Sequence, residues 1–268
     1  MRPTTTRSFF TLAIVILPLI AGCKDVSGSP STTSGSPTTE AASESRIKTA
    51  CGPVKIACLQ DKTGSSEDGV PQLTLKEVEV LIQMLRRCGG EIGFGLIRDR
   101  SNQALLRLRI EAPPAAPPPP AKARNQFKEV ENRAAHQKQM QAYEERLRLW
   151  QGEADQRIAL FRSALEPLLA RKANAPKTDV WGGVRRADLF LAESDAAWKQ
   201  PTHRWAVFIT DGKDNARGPG HVMSSNAAVV VVSGGTSNTG MLESLKPLRF
   251  EAPLAAFEFI VSSGEKEK

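Results

Sequence analysis

The feature that most constrains the fold of this chain is an alternation between short apolar runs and segments with helical spacing. The apolar runs have the length and composition of strands, and they cover residues 54–59, 91–97, 104–110, 205–209 and 227–232, with a last strand or mixed end at 255–261. Helices are predicted between them, over residues 73–85, 180–191 and 240–245. Alternating strands and helices favour an α/β fold, here a doubly wound, mostly parallel sheet flanked by helices.

Two local patterns refine this prediction. Thr74 is expected to cap the first helix, with Glu77 three residues on as its capping-box partner. Within residues 104–110, leucine and isoleucine alternate with arginine. That alternation predicts an edge strand with one face exposed to water.

The first residues have the layout of a targeting segment. Arg2 and Arg7 give a basic start, and residues 9–20 form an apolar stretch too short to span a bilayer comfortably. The sequence Ile20-Ala21-Gly22-Cys23 then resembles a bacterial lipobox. The resemblance implies a signal peptide over 1–22, a lipid on Cys23 and an extracytoplasmic, membrane-anchored protein. A plain secretory signal with a chance cysteine, or an uncleaved anchor, is the alternative.

The residues after the lipobox predict where the protein resides. Lys24 follows the cysteine in place of the aspartate that retains lipoproteins at the inner membrane, so the outer membrane is favoured if the cell has one. Residues 23–50 are rich in Ser, Thr, Gly and Pro and are expected to form a flexible tether, with a span of roughly 25–30 Å.

The charge of the chain does not favour a nucleic-acid partner. The formal net charge of +7 becomes +5 without Arg2 and Arg7, because residues 1–22 contain no acidic residue. The remaining surplus is spread out and is not interleaved with aromatic residues, so no nucleic-acid-binding surface is expected.

Three further cysteines, Cys51, Cys58 and Cys88, match no zinc-binding spacing. Cys58 lies in an apolar strand and is expected to be a small buried hydrophobic residue. Cys51 precedes that strand and Cys88 ends the helix that returns antiparallel to it. We therefore predict a Cys51–Cys88 disulfide, which an oxidising compartment permits; three free thiols are the alternative.

A long insertion, residues 113–175, interrupts the predicted 51–264 domain. Residues 113–120 are a Pro/Ala run that excludes helix and central strand. In the segment that follows, the apolar residues keep a near-heptad spacing: Phe127, Val130, Ala134, Met140, Tyr143, Leu147, Trp150, Ala154, Ile158, Phe161, Leu165 and Leu168.

One continuous helix of about 40 residues would be roughly 60 Å long, longer than the domain that carries it. It must either bend back near Gly152 or partly project. We expect a surface helix packed on its own sheet. The alternative is a partner-binding arm or a coiled coil that self-associates.

Three short polar runs, far apart in sequence, predict one metal site. They are Asp61-Lys62-Thr63-Gly64-Ser65, the segment around Thr178, and Ile209-Thr210-Asp211-Gly212. In a parallel sheet such turns converge at the carboxyl ends of the strands, where these folds bind ligands. Their hydroxyl and carboxylate oxygens suit Mg²⁺, Mn²⁺ or Ca²⁺. Taken singly, each run is an ordinary polar turn.

The order of these runs resembles the von Willebrand factor type A domain and its metal-ion-dependent adhesion site. Asp61, Thr63 and Ser65 fall on the family's Asp-x-Ser-x-Ser turn, Thr178 on its threonine before a later helix, and Asp211 on its Thr-Asp-Gly turn. Thr63 departs from the family by replacing a serine, which keeps the hydroxyl but adds a methyl group near the ion.

The resemblance implies a binding function without bond-breaking chemistry. The three hydroxyls would touch the ion, and the two aspartates would bind it directly or through water. An acidic group from a partner would fill the open position, with strong charge-assisted attraction. The expected partner is a protein or a cell-envelope ligand with such a group.

An enzyme is the rival interpretation. Asp61-Lys62-Thr63-Gly64 also resembles the phosphorylated-aspartate turn of the haloacid dehalogenase-like superfamily, with Asp61 as nucleophile and Asp211 or Asp214 holding Mg²⁺. Thr63 stands where the soluble phosphatases carry their general acid, and Thr178 has no role in this scheme. His136, His203 and His221 are the only histidines of the chain and predict no hydrolase triad.

Overall fold

A computed structural model describes residues 52–66, 69–122, 125–194, 198, 203–216, 218–234 and 240–266. These residues belong to one compact unit that extends over residues 48–268. The predicted signal peptide, the lipidation site Cys23, the tether and Cys51 lie outside the described residues.

The described part of the chain contains six strands, four α-helices and two 3₁₀-helices. The strands are β1 (Val54–Asp61), β2 (Gly90–Ile97), β3 (Leu106–Ile110), β4 (His203–Ile209), β5 (Ala228–Val232) and β6 (Leu248–Phe250). The α-helices are α1 (Leu75–Cys88), α2 (Gln126–Leu169), α3 (Val180–Ala192) and α4 (Pro253–Lys266). The 3₁₀-helices cover Gly64–Ser66 and Gly240–Leu245.

The strands form one sheet in the order β3-β2-β1-β4-β5-β6. All neighbours are parallel except β2 and β3, which pair antiparallel. Each face of the sheet supports its own apolar cluster: one joins it to α1, α2 and α4, and the other to α3. The predicted α/β fold with a mostly parallel sheet and flanking helices is therefore confirmed, and so is the position of β3 at the edge.

The first helix and the turn after it form as the sequence indicates. Thr74 caps α1 and Glu77 completes the capping box. Gly89 and Gly90, which follow the helix, have φ angles of 73° and 134°. A Cβ on Gly90 would lie 2.1 Å from the Val54 carbonyl oxygen, so only glycine allows β2 to start this close to β1.

The chain end differs from the prediction. Residues 255–261 were expected to form a last strand or mixed end, but they lie inside helix α4. The strand at the edge of the sheet opposite β3 is β6. The buried residues of α4 are Pro253, Ala256, Phe257 and Ile260, and this spacing places them on one helical face. Short apolar runs fit a strand and a buried helix equally well, and Pro253 at the first helical position was the missed start signal.

Helix α2 runs through Gly152 without interruption, so it does not bend back there. Its 44 residues correspond to about 66 Å. Its buried residues, Ala154, Ile158, Phe161 and Leu165, all belong to its second half and pack in the same cluster as α1. The first half contains no buried residue, and Phe127 near its start is 81% exposed. The helix therefore packs on the domain with its second half and projects with its first half, residues 126–147, which we call the arm.

The proline run lies along helix α2 between Asn132 and Trp150. The Glu111 carbonyl accepts a hydrogen bond from Trp150 Nε1 at 2.9 Å, and the Ala121 carbonyl accepts one from Asn132 Nδ2 at 3.0 Å. At the rise of a polyproline II helix, the chain from residue 111 to residue 121 extends over about 31 Å. The part of α2 between residues 132 and 150 is about 27 Å long. The matching lengths place the run antiparallel along the helix. No helix in the described residues is long and apolar enough to span a membrane.

The two described cysteines, Cys58 and Cys88, differ in their oxidation state. Cys58 is a buried free thiol in β1, as expected, and burial raises its pKa to about 12. Cys88 forms a disulfide. Because Cys51 lies outside the described residues, the Cys51–Cys88 pairing stays a prediction.

Candidate functional site

The candidate cation site (Asp61, Thr63, Ser65, Thr178 and Asp211) lies where β1 and β4 end side by side. Gln60 pairs with Ile209 in the parallel ladder, so Asp61 and Thr210 are the next positions on adjacent strands. After β1 the chain continues to β2 on one side of this point, and after β4 it continues to β5 on the other side. This is a topological switch point, the place where open α/β sheets bind ligands.

Asp61 is fully buried at the centre of the site. One carboxylate oxygen accepts hydrogen bonds from the Thr63 amide at 2.9 Å and the Thr63 hydroxyl at 2.7 Å. The other accepts one from the Thr210 hydroxyl at 2.8 Å. Burial raises the pKa of Asp61, the bonds from Thr63 and Thr210 lower it in part, and the nearby Asp211 adds to the rise.

Asp211 is also buried, but its two oxygens differ. One accepts a hydrogen bond from the Lys213 amide at 3.0 Å. The other, Oδ2, is buried without a hydrogen-bond donor. The Lys213 ammonium lies 3.3 Å from this oxygen, within ion-pair distance but outside hydrogen-bond geometry. Asp211 therefore has an oxygen that accepts no hydrogen bond, with a lysine ammonium beside it.

Thr178 reaches the same edge of the sheet on the loop between α2 and α3. Its amide donates to Asn215 Oδ1 at 2.6 Å, and its carbonyl accepts from the amides of Asn215 and Ala216. The same loop pairs with the first run, because Gly64 donates its amide to the Ala175 carbonyl at 3.1 Å. The Thr178 hydroxyl has no hydrogen-bond partner among the described residues.

The structure thus brings the three predicted runs together. Thr63 and Ser65 have their hydroxyl oxygens 3.3 Å apart, and Ser65 is exposed at the rim. Among the described residues, no three His, Cys, Asp or Glu side chains cluster at metal-binding distance. The predicted site contains only two carboxylates, so its remaining ligands would have to be hydroxyls.

Several residues that shape the site were not among its five predicted ligands, and Asp214 was named only as a Mg²⁺ ligand of the rival enzyme. Thr210 orients Asp61, Asn215 holds Thr178, and Asp214 accepts the Trp181 amide at 3.1 Å. Thr210 lies within a predicted run, but its partner is a residue 149 positions away. No local pattern could have indicated that contact.

Lys62 connects the first run to helix α2. Its ammonium is buried and donates to Gln72 Oε1 at 2.6 Å and to the Leu169 carbonyl at 2.9 Å, in the last turn of α2. Burial lowers the pKa of Lys62. A cation at the C-terminal end of a helix is favourable, so this contact fixes the end of the insertion beside the site.

Asp188 and His221 form a second polar cluster, which includes none of the five candidate site residues. Asp188 accepts hydrogen bonds from the amides of Ser224 and Ser225 and from the Ser224 hydroxyl, and its Oδ2 lies 2.9 Å from His221 Nε2. Burial alone would raise the pKa of Asp188, but these bonds outweigh it and hold the pKa below its ordinary range. Because the Ser224 hydroxyl bonds to Asp188 and not to His221, the cluster anchors a loop and is no catalytic triad.

Comparisons of the chain with protein-family models, with curated proteins and with solved structures found no match.

Proposed function

We propose that this chain is a membrane-anchored, extracytoplasmic binding or assembly protein with a von Willebrand A-like domain. It engages an acidic group of a partner through a divalent cation held by Asp61, Thr63, Ser65, Thr178 and Asp211. The ion is Mg²⁺, with Mn²⁺ or Ca²⁺ as substitutes. The observation that carries this proposal is the pair of buried carboxylates at the ends of adjacent strands, one with an unbonded oxygen.

The donor set fits a hard cation. Two buried carboxylates close together disfavour ionisation of both unless a positive charge lies between them. The Lys213 ammonium beside Asp211 supports the presence of a cation-binding position there. Two carboxylates balance the charge of the ion formally, and five side-chain oxygens leave one position of an octahedral ion open, which an acidic ligand would fill through a charge-assisted contact.

Burial also favours a binding role for Asp61 over a nucleophilic one. Its side chain is fully buried, and both of its oxygens accept hydrogen bonds. A nucleophile of a phosphatase must be reached by its substrate. An assay with a generic phosphomonoester and Mg²⁺ tests this choice: turnover that disappears in Asp61→Asn would replace the binding proposal with an enzyme.

The cation site is tested by thermal unfolding of the full chain with Mg²⁺ or with chelator. The wild-type protein should be stabilised by about 2.7 kcal/mol when the Mg²⁺ concentration is 100 times its dissociation constant. Asp61→Ala and Asp211→Ala should fold but lose this response. Asp99→Ala, at an exposed aspartate outside the site, is the matched control and should keep it. An unchanged Mg²⁺ response in both site variants would reject these residues as ligands.

A further inference from the structure

A pocket of about 350 Å³ lies beside the candidate cation site but uses none of its five residues. Its walls are the loop between β2 and β3, the first turns of α3 and the loop at 218–219. We call it the arginine pocket, after the residues that dominate its lining: Arg100, Arg185 and Arg186. The volume is within the range of small-ligand sites.

The three arginines have no carboxylate partner among the described residues. Arg100 and Arg185 are exposed and make no hydrogen bond or ion pair there. Arg186 donates only to backbone carbonyls, those of Gln103 at 2.6 Å and Leu96 at 3.1 Å, and its Nε is buried without an acceptor. A partly buried guanidinium without a counter-ion is costly, so an anion in this pocket would be favourable.

The pKa of Arg186 also indicates a buried positive charge that no carboxylate partner balances in the described part of the chain. Burial lowers the pKa of the guanidinium to about 10, and the charge of Asp179 offsets this only in part. Gly95 makes room for the group, because a Cβ there would lie 2.4 Å from an Arg186 terminal nitrogen.

The pocket's aspartate, Asp179, makes no ion pair with the three arginines. Its two oxygens accept backbone amides, from Gly182 at 2.9 Å and from Ser101 at 3.0 Å. Gly182 is required for this arrangement, since a Cβ would lie 2.1 Å from the Asp179 carboxylate. With three arginines and one aspartate, the lining has a net charge of +2.

The rest of the lining is apolar. Trp181 forms one wall, and Leu189, which is 67% exposed, forms the outer edge. Guanidinium groups bind carboxylate and phosphate in bidentate geometry, and an indole or leucine surface binds apolar groups. Such a pocket is suited to a ligand that carries an oxyanion on an apolar body.

We propose that the arginine pocket is a binding site for a small anionic ligand of this kind, a carboxylate or phosphate attached to an apolar group. Arg100 and Arg185 bind the anion, Arg186 adds fixed positive charge, and Trp181 and Leu189 contact the apolar part. This site operates without the cation and does not depend on the binding function proposed above.

Isothermal titration of the full chain with phenylacetate and with phenyl phosphate, both in EDTA, tests the proposal. The wild-type protein should bind at least one of them saturably, and the neutral benzyl alcohol should not bind. The stronger of the two acids identifies the oxyanion. The double variant R100Q/R185Q should weaken binding at least tenfold, and R148Q/R171Q, which removes two exposed arginines elsewhere, should leave it unchanged.

A second variant adds a negative charge to the pocket and removes no positive one. Leu189→Glu leaves every arginine in place but adds a carboxylate at the edge of the pocket, and it should also weaken binding. Absence of saturable binding to wild type, or full binding in both R100Q/R185Q and Leu189→Glu, overturns the proposal. So does binding that requires Mg²⁺ and disappears in Asp61→Ala, because the probe would then occupy the candidate cation site.

Discussion

At the scale of single residues, the two aspartates of the candidate site have unequal surroundings. Hydroxyl groups from Thr63 and Thr210 satisfy Asp61, whereas Asp211 keeps one buried oxygen beside the Lys213 ammonium. If a cation binds here, it must compete with that ammonium for Asp211. Lys213 is therefore expected to weaken cation binding.

Replacing Lys213 with methionine should tighten Mg²⁺ binding about fivefold, the effect of removing one ion pair whose ammonium is exposed to water. The measurement is a Mg²⁺ titration of the thermal midpoint. Lys177→Met is the matched control, because Lys177 is exposed and adjacent to Thr178 but makes no contact with Asp211. Equal or weaker Mg²⁺ binding in Lys213→Met would show that the ammonium does not occupy the cation position.

Asp188→Asn should reduce the free energy of unfolding by about 2 kcal/mol at pH 7, because an amide cannot accept all the donors that face this carboxylate. The folded-state pKa of Asp188 lies below the ordinary value of about 3.9. Its stabilising effect is therefore complete above that value and is lost as the pH falls through the folded-state pKa.

Urea unfolding of both proteins between pH 2 and pH 7 measures this difference, which should shrink below about pH 4. Asp155→Asn, which removes an exposed aspartate paired with Arg86, should change stability much less. A pH-independent difference for Asp188→Asn would contradict the assigned role of its charge.

At the scale of elements, helix α2 combines two kinds of packing. Its second half inserts Ile158, Phe161 and Leu165 into the core, whereas its first half contains no buried residue and has the proline run beside it from Asn132 onward. The heptad stripe of the first half is thus partly covered by the chain itself. The apolar surface that is available to a coiled-coil partner is therefore smaller than the sequence pattern alone implies.

The two halves should respond differently to the same truncation. Ile158→Ala should cost about 3 kcal/mol in the free energy of unfolding, because it leaves a cavity in the core. Leu147→Ala, on the half-buried stripe of the arm, should cost about 1 kcal/mol or less. Urea unfolding measures both changes, and equal losses would mean that the arm folds as part of the core.

At the scale of the whole molecule, the insertion and the candidate site are joined. Lys62 binds the last turn of α2, Ala175 pairs with the first polar run, and Thr178 follows directly. The loop after the insertion therefore completes the site, although the insertion interrupts the α/β fold in sequence. A partner that bound the arm would be connected to the site through this loop.

The oxidised full chain should contain a Cys51–Cys88 disulfide and an unreactive Cys58. Peptide mapping without reductant should recover the two cysteines in one linked pair, and iodoacetamide should modify Cys58 only after unfolding, because burial raises its pKa to about 12. Reduction should lower the free energy of unfolding by about 2–4 kcal/mol. Recovery of Cys51 as a free thiol would refute the pairing.

The sequence by itself determined which segments become strands and helices, because the period of apolar residues is a local property. It predicted β1, α1, β2, α3, β4 and β5 to within a few residues, and it was wrong about residues 255–261, where a short apolar run fits both periods. It also predicted the three runs of the candidate site, because in a parallel sheet strand ends share one edge.

Only the tertiary structure decided the contacts between residues distant in sequence. Thr210 donates to Asp61, Lys62 holds the end of α2, and the arginine pocket forms where three separate segments meet. The proline run lies along helix α2 for the same reason. These contacts depend on how complete elements pack against each other, and that packing leaves no periodic signal in the sequence.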